Sequence, residues 1–188
     1  QNIEDYRLAQ FFFKKSLDIY VKYNGEESQE TAEAYNNLAN VMLNTGKTNE
    51  AIGYYKKAYF IYSDITGVNP TLIGNTTNNI ATAYLQTERY DSAQFFYNQS
   101  IDIYKKVFDN KHPYLALIYN SMGDINIKTG KYADAIEYYG KALDANHENF
   151  NHNTDSLPDK NGCFDQNIIL NTLLSRASAY TQQYLQDR

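Results

Sequence analysis

The 188-residue chain contains no tryptophan, one cysteine, three prolines and nine glycines. A single thiol, Cys163, excludes a disulfide within the chain. So few helix breakers argue against a loop-rich or all-β fold and for long uninterrupted helices. Basic residues are also scarce, with 17 Lys and Arg against 22 Asp and Glu and a net charge of −5. That balance speaks against nucleic acid or an anionic membrane surface as a partner, because both need a basic face. No apolar run approaches the roughly 20 residues that span a bilayer. These features lead to an expected cytoplasmic location. The chain starts at Gln1 rather than Met, so a segment of a longer protein is expected. Tyrosine is abundant, at 19 residues, and so is asparagine, at 22.

The tyrosines and asparagines are periodic. Three blocks superimpose without gaps at a spacing of 42: Tyr35-Asn36-Asn37-Leu38-Ala39, Thr77-Asn78-Asn79-Ile80-Ala81 and Tyr119-Asn120-Ser121-Met122-Gly123. Each is followed at one fixed offset by a second block, which begins at Ala51, Ala93 and Ala135 and carries Tyr55, Tyr97 and Tyr139 four residues on. Subtracting 42 once more lands on Ala9 and Phe13, so the chain opens inside a repeat. The register continues through Ser16, Ala58, Ser100 and Ala142, and through Tyr20, Tyr62 and Tyr104.

Each unit reads as two helices. Tyr35, Leu38, Ala39 and Met42 recur at the spacing of one helical face, and a second stripe runs through Ala51, Tyr55, Ala58, Tyr59 and Tyr62 between about Asn49 and Asp64. Gly46 and Gly130 mark the turn between the helices of a pair, where a left-handed residue ends a helix. The middle copy has Glu88 there, so its turn is expected to be strained or differently closed. Asn69-Pro70 and His112-Pro113 mark breaks between copies. The small residues Ala39, Ala81 and Gly123, and Ala51, Ala93 and Ala135, allow close backbone approach. Tyr55, Tyr97 and Tyr139 fill the remaining space.

This pattern resembles the tetratricopeptide repeat (TPR), whose usual unit is about 34 residues. The longer unit and the Lys111-His112-Pro113 connection look most like the repeats of kinesin light chain. The resemblance implies an all-α, right-handed TPR solenoid of antiparallel helix pairs. Its divisions are a half-repeat at 1–30, TPR 1 at 31–70, TPR 2 at 71–113 and TPR 3 at 114–146. An inserted loop at 147–166 and a terminal helix at 167–188 complete it. In the terminal helix Leu173, Arg176, Ala177 and Tyr180 resume the first-helix pattern, displaced by about 12 residues from strict period. A repeat region with such a loop and helix also resembles the TPR part of bacterial TPR–CHAT proteins, which carry a caspase-like protease domain. No catalytic His or Cys transfers to this chain.

The chemistry-bearing residues are confined to connections. His147, His152 and Cys163, with Asp155 and Asp159, fit no ligand spacing, and they read as a solvated polar insertion rather than a metal site. No phosphate loop, nucleophile elbow or carboxylate pair is present. The expectation is a non-enzyme with no cofactor and no metal.

The resemblance instead implies a binding face built from first helices. Asn36, Asn78 and Asn120 share one column, Asn37, Asn79 and Ser121 the next, and Asn40, Thr82 and Asp124 a third. A column of carboxamides can pair with the backbone of an extended or helical ligand. The candidate groove is therefore Asn36, Asn40, Asn78, Asn79, Thr82, Asn120 and Asp124. Replacing Asn36, Asn78 and Asn120 by Ala is expected to weaken a partner without unfolding the array. The carboxylate clamp of chaperone adaptors is matched only at Asn40 and Asn79, and Asn36, Leu117 and Ser121 replace the cations it needs. The expected partner is a protein or peptide segment. The N-terminal half-repeat lacks a polar cap, so upstream repeats or self-association through that end are both expected readings. The alternative function is a regulatory or oligomerisation segment of a larger bacterial protein such as a TPR–CHAT protease.

Overall fold

The computed structural model describes residues 3–152, 157–158 and 161–188. Those residues form eight α-helices: α1 (Ile3–Asn24), α2 (Gln29–Asn44), α3 (Thr48–Asp64), α4 (Pro70–Gln86), α5 (Tyr90–Phe108), α6 (Pro113–Lys128), α7 (Tyr132–Ala145) and α8 (Gln166–Gln186). No β-strand occurs among them. The chain divides into two compact units, Gln1–Ser100 and Ile101–Arg188, with the division inside α5.

The breaks between copies work as read. Asn69 caps α4 by accepting the Thr71 N–H at 3.0 Å, and Pro70 follows where its missing N–H costs nothing. His112 caps α6 in the same manner, with Nδ1 accepting the Tyr114 N–H at 3.1 Å ahead of Pro113. Ser28 and Asp165 cap α2 and α8.

Within pairs, the turn is left-handed in all three copies. Gly46 has φ 77°, Gly130 φ 72° and Glu88 φ 56°. The middle turn closes with the bonds of the first. Arg89 N–H reaches Tyr84 O at 3.0 Å, as Lys47 N–H reaches Met42 O at 2.9 Å. Glu88 is therefore strained rather than differently closed, because a side chain in this region crowds its own carbonyl.

In unit 1 the core lies between helix pairs. Ala32, Ala58 and Tyr62 are buried together, with Tyr35, Ile61, Leu72 and Ile73 packed around them. Ala51 and Ala93 are fully buried, and Ser100 donates to the Gly74 carbonyl at 2.8 Å. Tyr35 stacks on Tyr54 with centroids 5.9 Å apart, and Lys57 lies over both rings. The middle copy has Thr77 in the Tyr35 column, and there Phe96 stacks on Tyr84 instead, at 5.6 Å.

In unit 2, Ala135, Ile136 and Tyr139 of α7 enclose Ala179 of α8. Leu143, Phe150 and Ile169 form a second cluster, with Leu173 against it. The insertion is not the solvated segment expected. His147 is buried, and an antiparallel bridge joins it to Cys163, with Glu148 N–H to Gly162 O and Phe164 N–H to Asn146 O both at 2.9 Å. Lys111 donates to the carbonyls of Asp144, His147 and Phe150 at 2.7, 3.0 and 3.3 Å. A cation at the C-terminus of α7 also meets the negative end of that helix. Asp155 and Asp159 lie outside the described residues.

Candidate functional site

The first-helix columns differ sharply in what their side chains are already doing. In unit 1, Asn36 Nδ2 on α2 donates to Thr76 Oγ1 on α4 at 2.8 Å, and Thr76 passes its own proton to Leu72 O at 2.8 Å. In unit 2, Asn120 Nδ2 on α6 donates to Thr172 Oγ1 on α8 at 2.8 Å, and Thr172 donates to Ile168 O at 2.6 Å. Each threonine is buried. Asn36 and Asn120 thus fasten one first helix to the next. Burial raises the pKa of the neighbouring Tyr62 phenol, and its hydrogen bond with Asn36 partly offsets that rise.

The two spacings carry a message. Asn36 and Thr76 are 40 residues apart, whereas Asn120 and Thr172 are 52 apart. The 12 extra residues are the displacement seen in the sequence, so α8 keeps the first-helix contact despite the insertion. Forty residues beyond Asn78 stands Ile118, which cannot accept a hydrogen bond. Asn78 and Asn79 are half-buried on α4.

The third column has a different internal task. Tyr55 donates its hydroxyl to Asn40 Oδ1 at 2.5 Å, Tyr97 and Thr82 meet at 3.2 Å, and Tyr139 donates to Asp124 Oδ1 at 2.6 Å. Every pair is 15 residues apart, so each second-helix tyrosine hydroxyl bonds the polar residue of its own first helix. The rings themselves are buried. Burial pushes the Tyr55 phenol far above its ordinary pKa and does the same for Tyr139, where hydrogen bonding to the Asp124 carboxylate adds to the rise. These hydroxyls are permanent donors. Asn40 and Asp124 are exposed and Thr82 half-buried, so the tyrosines orient polar groups that still reach the surface.

Sequence reasoning missed Thr76 and Thr172 as the partners of Asn36 and Asn120. It also missed a cluster around His152. The His152 N–H donates to Asp144 Oδ1 at 2.6 Å, its ring Nδ1 lies 2.5 Å from Asp144 Oδ2, and Nε2 lies 3.3 Å from Glu137 Oε2. The ring covers Gly140, where an added Cβ would sit 2.5 Å from Cδ2. Burial alone would raise the Glu137 carboxyl pKa, but His152 and Lys141 together hold it below the ordinary value. Among the described residues no group of three His, Cys, Asp or Glu side chains is arranged to hold a metal ion. No helix among them is long and apolar enough to cross a membrane.

The family model described as "Tetratricopeptide repeat" matches residues 1–64 and 72–146. No curated protein sequence matches the chain. Among solved structures it is similar to BtubC (BKLC) from P. vanneervenii, with a TM-score of 0.79 at 17% identity, covering 95% of this chain and 66% of that one. It is also similar to a Podosopora anserina protein described as a kinesin light chain with nearly identical TPR-like repeats. There the TM-score is 0.74 at 15% identity, over 97% of this chain and 81% of the other. Aspartyl phosphate phosphatase F from Bacillus subtilis matches with a TM-score of 0.67 at 20% identity, over 76% of this chain and 36% of that one. The chain therefore spans just under two thirds of the first of these proteins and about a third of the last. The TM-scores show a shared fold, and at identities this low the likeness is one of fold alone.

Proposed function

This chain belongs to the tetratricopeptide repeat family, and on that premise we propose that it is a non-catalytic module that binds a protein or peptide segment on its first-helix face. Proteins of this family and fold generally serve as scaffolds for protein interaction. The reading assigns the ligand contact in unit 1 to Asn40, Asn78, Asn79 and Thr82 on α2 and α4. In unit 2 the corresponding exposed group is Asp124. Asn36 and Asn120 take a supporting role, since their carboxamides hold helix to helix.

The observation that supports this most directly is Asn40. Its oxygen is engaged by Tyr55 at 2.5 Å, which fixes the carboxamide and leaves its amide hydrogens for a ligand's backbone carbonyls. A preoriented donor loses little conformational freedom on binding. Such a contact is tolerant of ligand sequence, so selectivity falls to the apolar residues along the same helices, Leu43 and Leu85.

Random peptides displayed on phage, selected against the 188-residue chain, provide a probe. The dissociation constant of an enriched peptide is then measured for the native chain, for Asn40→Ala with Asn79→Ala, and for Asn98→Ala on the exposed side of α5. Two net hydrogen bonds at about 0.5–1.5 kcal/mol each correspond to a loss of roughly tenfold in affinity for the double variant. Asn98→Ala is expected to bind as the native chain does. Equal binding by the double variant, or failure to enrich any peptide, overturns the proposal.

A further inference from the structure

Charge is distributed unevenly over the helices of unit 1. Charged residues make up 21% of the chain, so a helix of 17 residues would carry about three or four. The α3 helix, 17 residues long, has Glu50, Lys56, Lys57 and Asp64. The α4 helix has the same length and carries none. In α2 the only charges are Glu30 and Glu33, both ahead of Asn36, and from there to Asn44 there is none.

This uncharged face is nonetheless open. Asn40, Asn44 and Gln86 are exposed, and Asn78, Asn79 and Thr82 are half-buried. The Asn36–Thr76 bond holds α2 beside α4, so Asn40 and Asn79, each a turn beyond its bonded neighbour, come onto one surface. The nearby cations are turned to other tasks. Lys57 lies over the Tyr35 and Tyr54 rings, and Lys56 over Tyr84 and Phe96. Arg89 lies over Tyr84 and donates to Asn49 Oδ1 at 2.6 Å. A helix face that only meets water ordinarily carries charge. Depletion of charge is instead the mark of an interface centre, where water is removed.

Building on the peptide-binding reading above, we propose that this face receives a segment whose contacting side chains are uncharged carboxamides and hydroxyls, and rejects an ionised side chain of either sign. Carboxamides offer both donors and acceptors, which satisfy the amides and hydroxyls of such a segment. An ion docked between α2 and α4 gives up its water and gains only dipoles, with no counter-charge to offset the loss. That exclusion supplies a selectivity the apolar residues alone do not.

Unit 2 supplies a variant for the test. There the Asn40 column holds Asp124, whose carboxylate accepts the Tyr139 hydroxyl at 2.6 Å. Asn40→Asp therefore keeps an acceptor for Tyr55 while it places a charge on the face and removes the amide donor. Peptides enriched on the native chain are measured against both chains at about 50 and 500 mM sodium chloride. Native affinity is expected to change by less than about threefold over that range, since there is no ion pair to screen. Asn40→Asp is expected to bind roughly tenfold more weakly, with unchanged helical circular dichroism. The polar peptide residue whose replacement by Ala costs most is expected to be uncharged, and Glu or Lys in its place to bind more weakly than Ala.

A peptide that Asn40→Asp weakens but that loses more than about threefold in salt, or whose most sensitive polar residue is charged, overturns this inference and leaves the peptide-binding reading standing. So does a peptide that tolerates Asn40→Asp but not Asn40→Ala with Asn79→Ala. A peptide indifferent to all of these variants sits elsewhere and overturns both, as does failure to enrich any peptide.

Discussion

Replacing Asn36 is expected to weaken the fold itself, and the size of the effect can be worked out from its contacts. Asn36→Ala removes the Nδ2 donor to Thr76, 2.8 Å away and fully buried. The threonine keeps its bond to Leu72 O but loses a donor it cannot replace from water. A net hydrogen bond of about 1 kcal/mol, with a few tenths more for lost packing, gives a destabilisation of about 1–1.5 kcal/mol. Thr76→Val removes the other partner, keeps the volume and takes this bond from the asparagine amide at a similar cost. The double variant is expected to cost less than the sum, with a coupling of about 1 kcal/mol. Guanidinium denaturation followed by helical circular dichroism supplies all four stabilities, and an unchanged slope shows that only stability moved. Coupling below about 0.3 kcal/mol, within the scatter of independent sites, would refute the assignment of Asn36 as a tie between helices. In that case the carboxamide would be as dispensable for folding as the ligand-ladder reading of the sequence supposed.

Two further outcomes follow from local geometry. Glu88→Gly relieves a left-handed side chain worth about 1–2 kcal/mol and adds about 0.5–1 kcal/mol of backbone entropy cost, so the variant is expected to gain roughly 0.5–1 kcal/mol and melt about 1–4 °C higher. An unchanged or lower melting temperature would contradict the strain. Burial lowers the pKa of His112 below its ordinary value, and only the neutral ring can accept the Tyr114 N–H. The unfolded chain therefore takes up this proton first, so the contribution of the cap is complete above about pH 6.5 and is lost as the pH falls below it. His112→Asn keeps a cap without the titration, and the difference in stability between native chain and variant is expected to shift towards the variant on acidification. A difference independent of pH would count against the cap.

Much of the helix pairing was legible because it depends on small and large residues in strict columns. Thr48–Asp64 for α3 falls within a residue of the span read from periodicity, and Gln166–Gln186 for α8 within two residues of the 167–188 segment. The breaks were legible because Pro and Gly act through backbone geometry alone. The middle turn shows the limit of that argument: tertiary closure imposes on Glu88 the conformation that its sister copies assign to glycine. The polar columns were legible as columns but not as contacts, because an asparagine on a helix surface looks the same whether its partner is Thr76 or a ligand. The insertion was least legible. Its described residues are held by single contacts without period: Lys111 on three carbonyls, and the His152 ring on Gly140, where the sister copies have Lys56 and Asn98.

The match of Asn120 to Thr172 across 12 additional residues also says where this architecture is free to change. The helix after the insertion finds its place through side-chain contacts rather than through the length of the connection. Lengthening a loop costs only about 0.6 kcal/mol per doubling. Apart from Asn146, His147, Phe150, His152 and Asp165, which make contacts of their own, residues between α7 and α8 can therefore vary in number and kind while the helices on either side keep their spacing. That segment is the place on the scaffold where new chemistry can be added, by descent or by engineering, without rewriting the repeat.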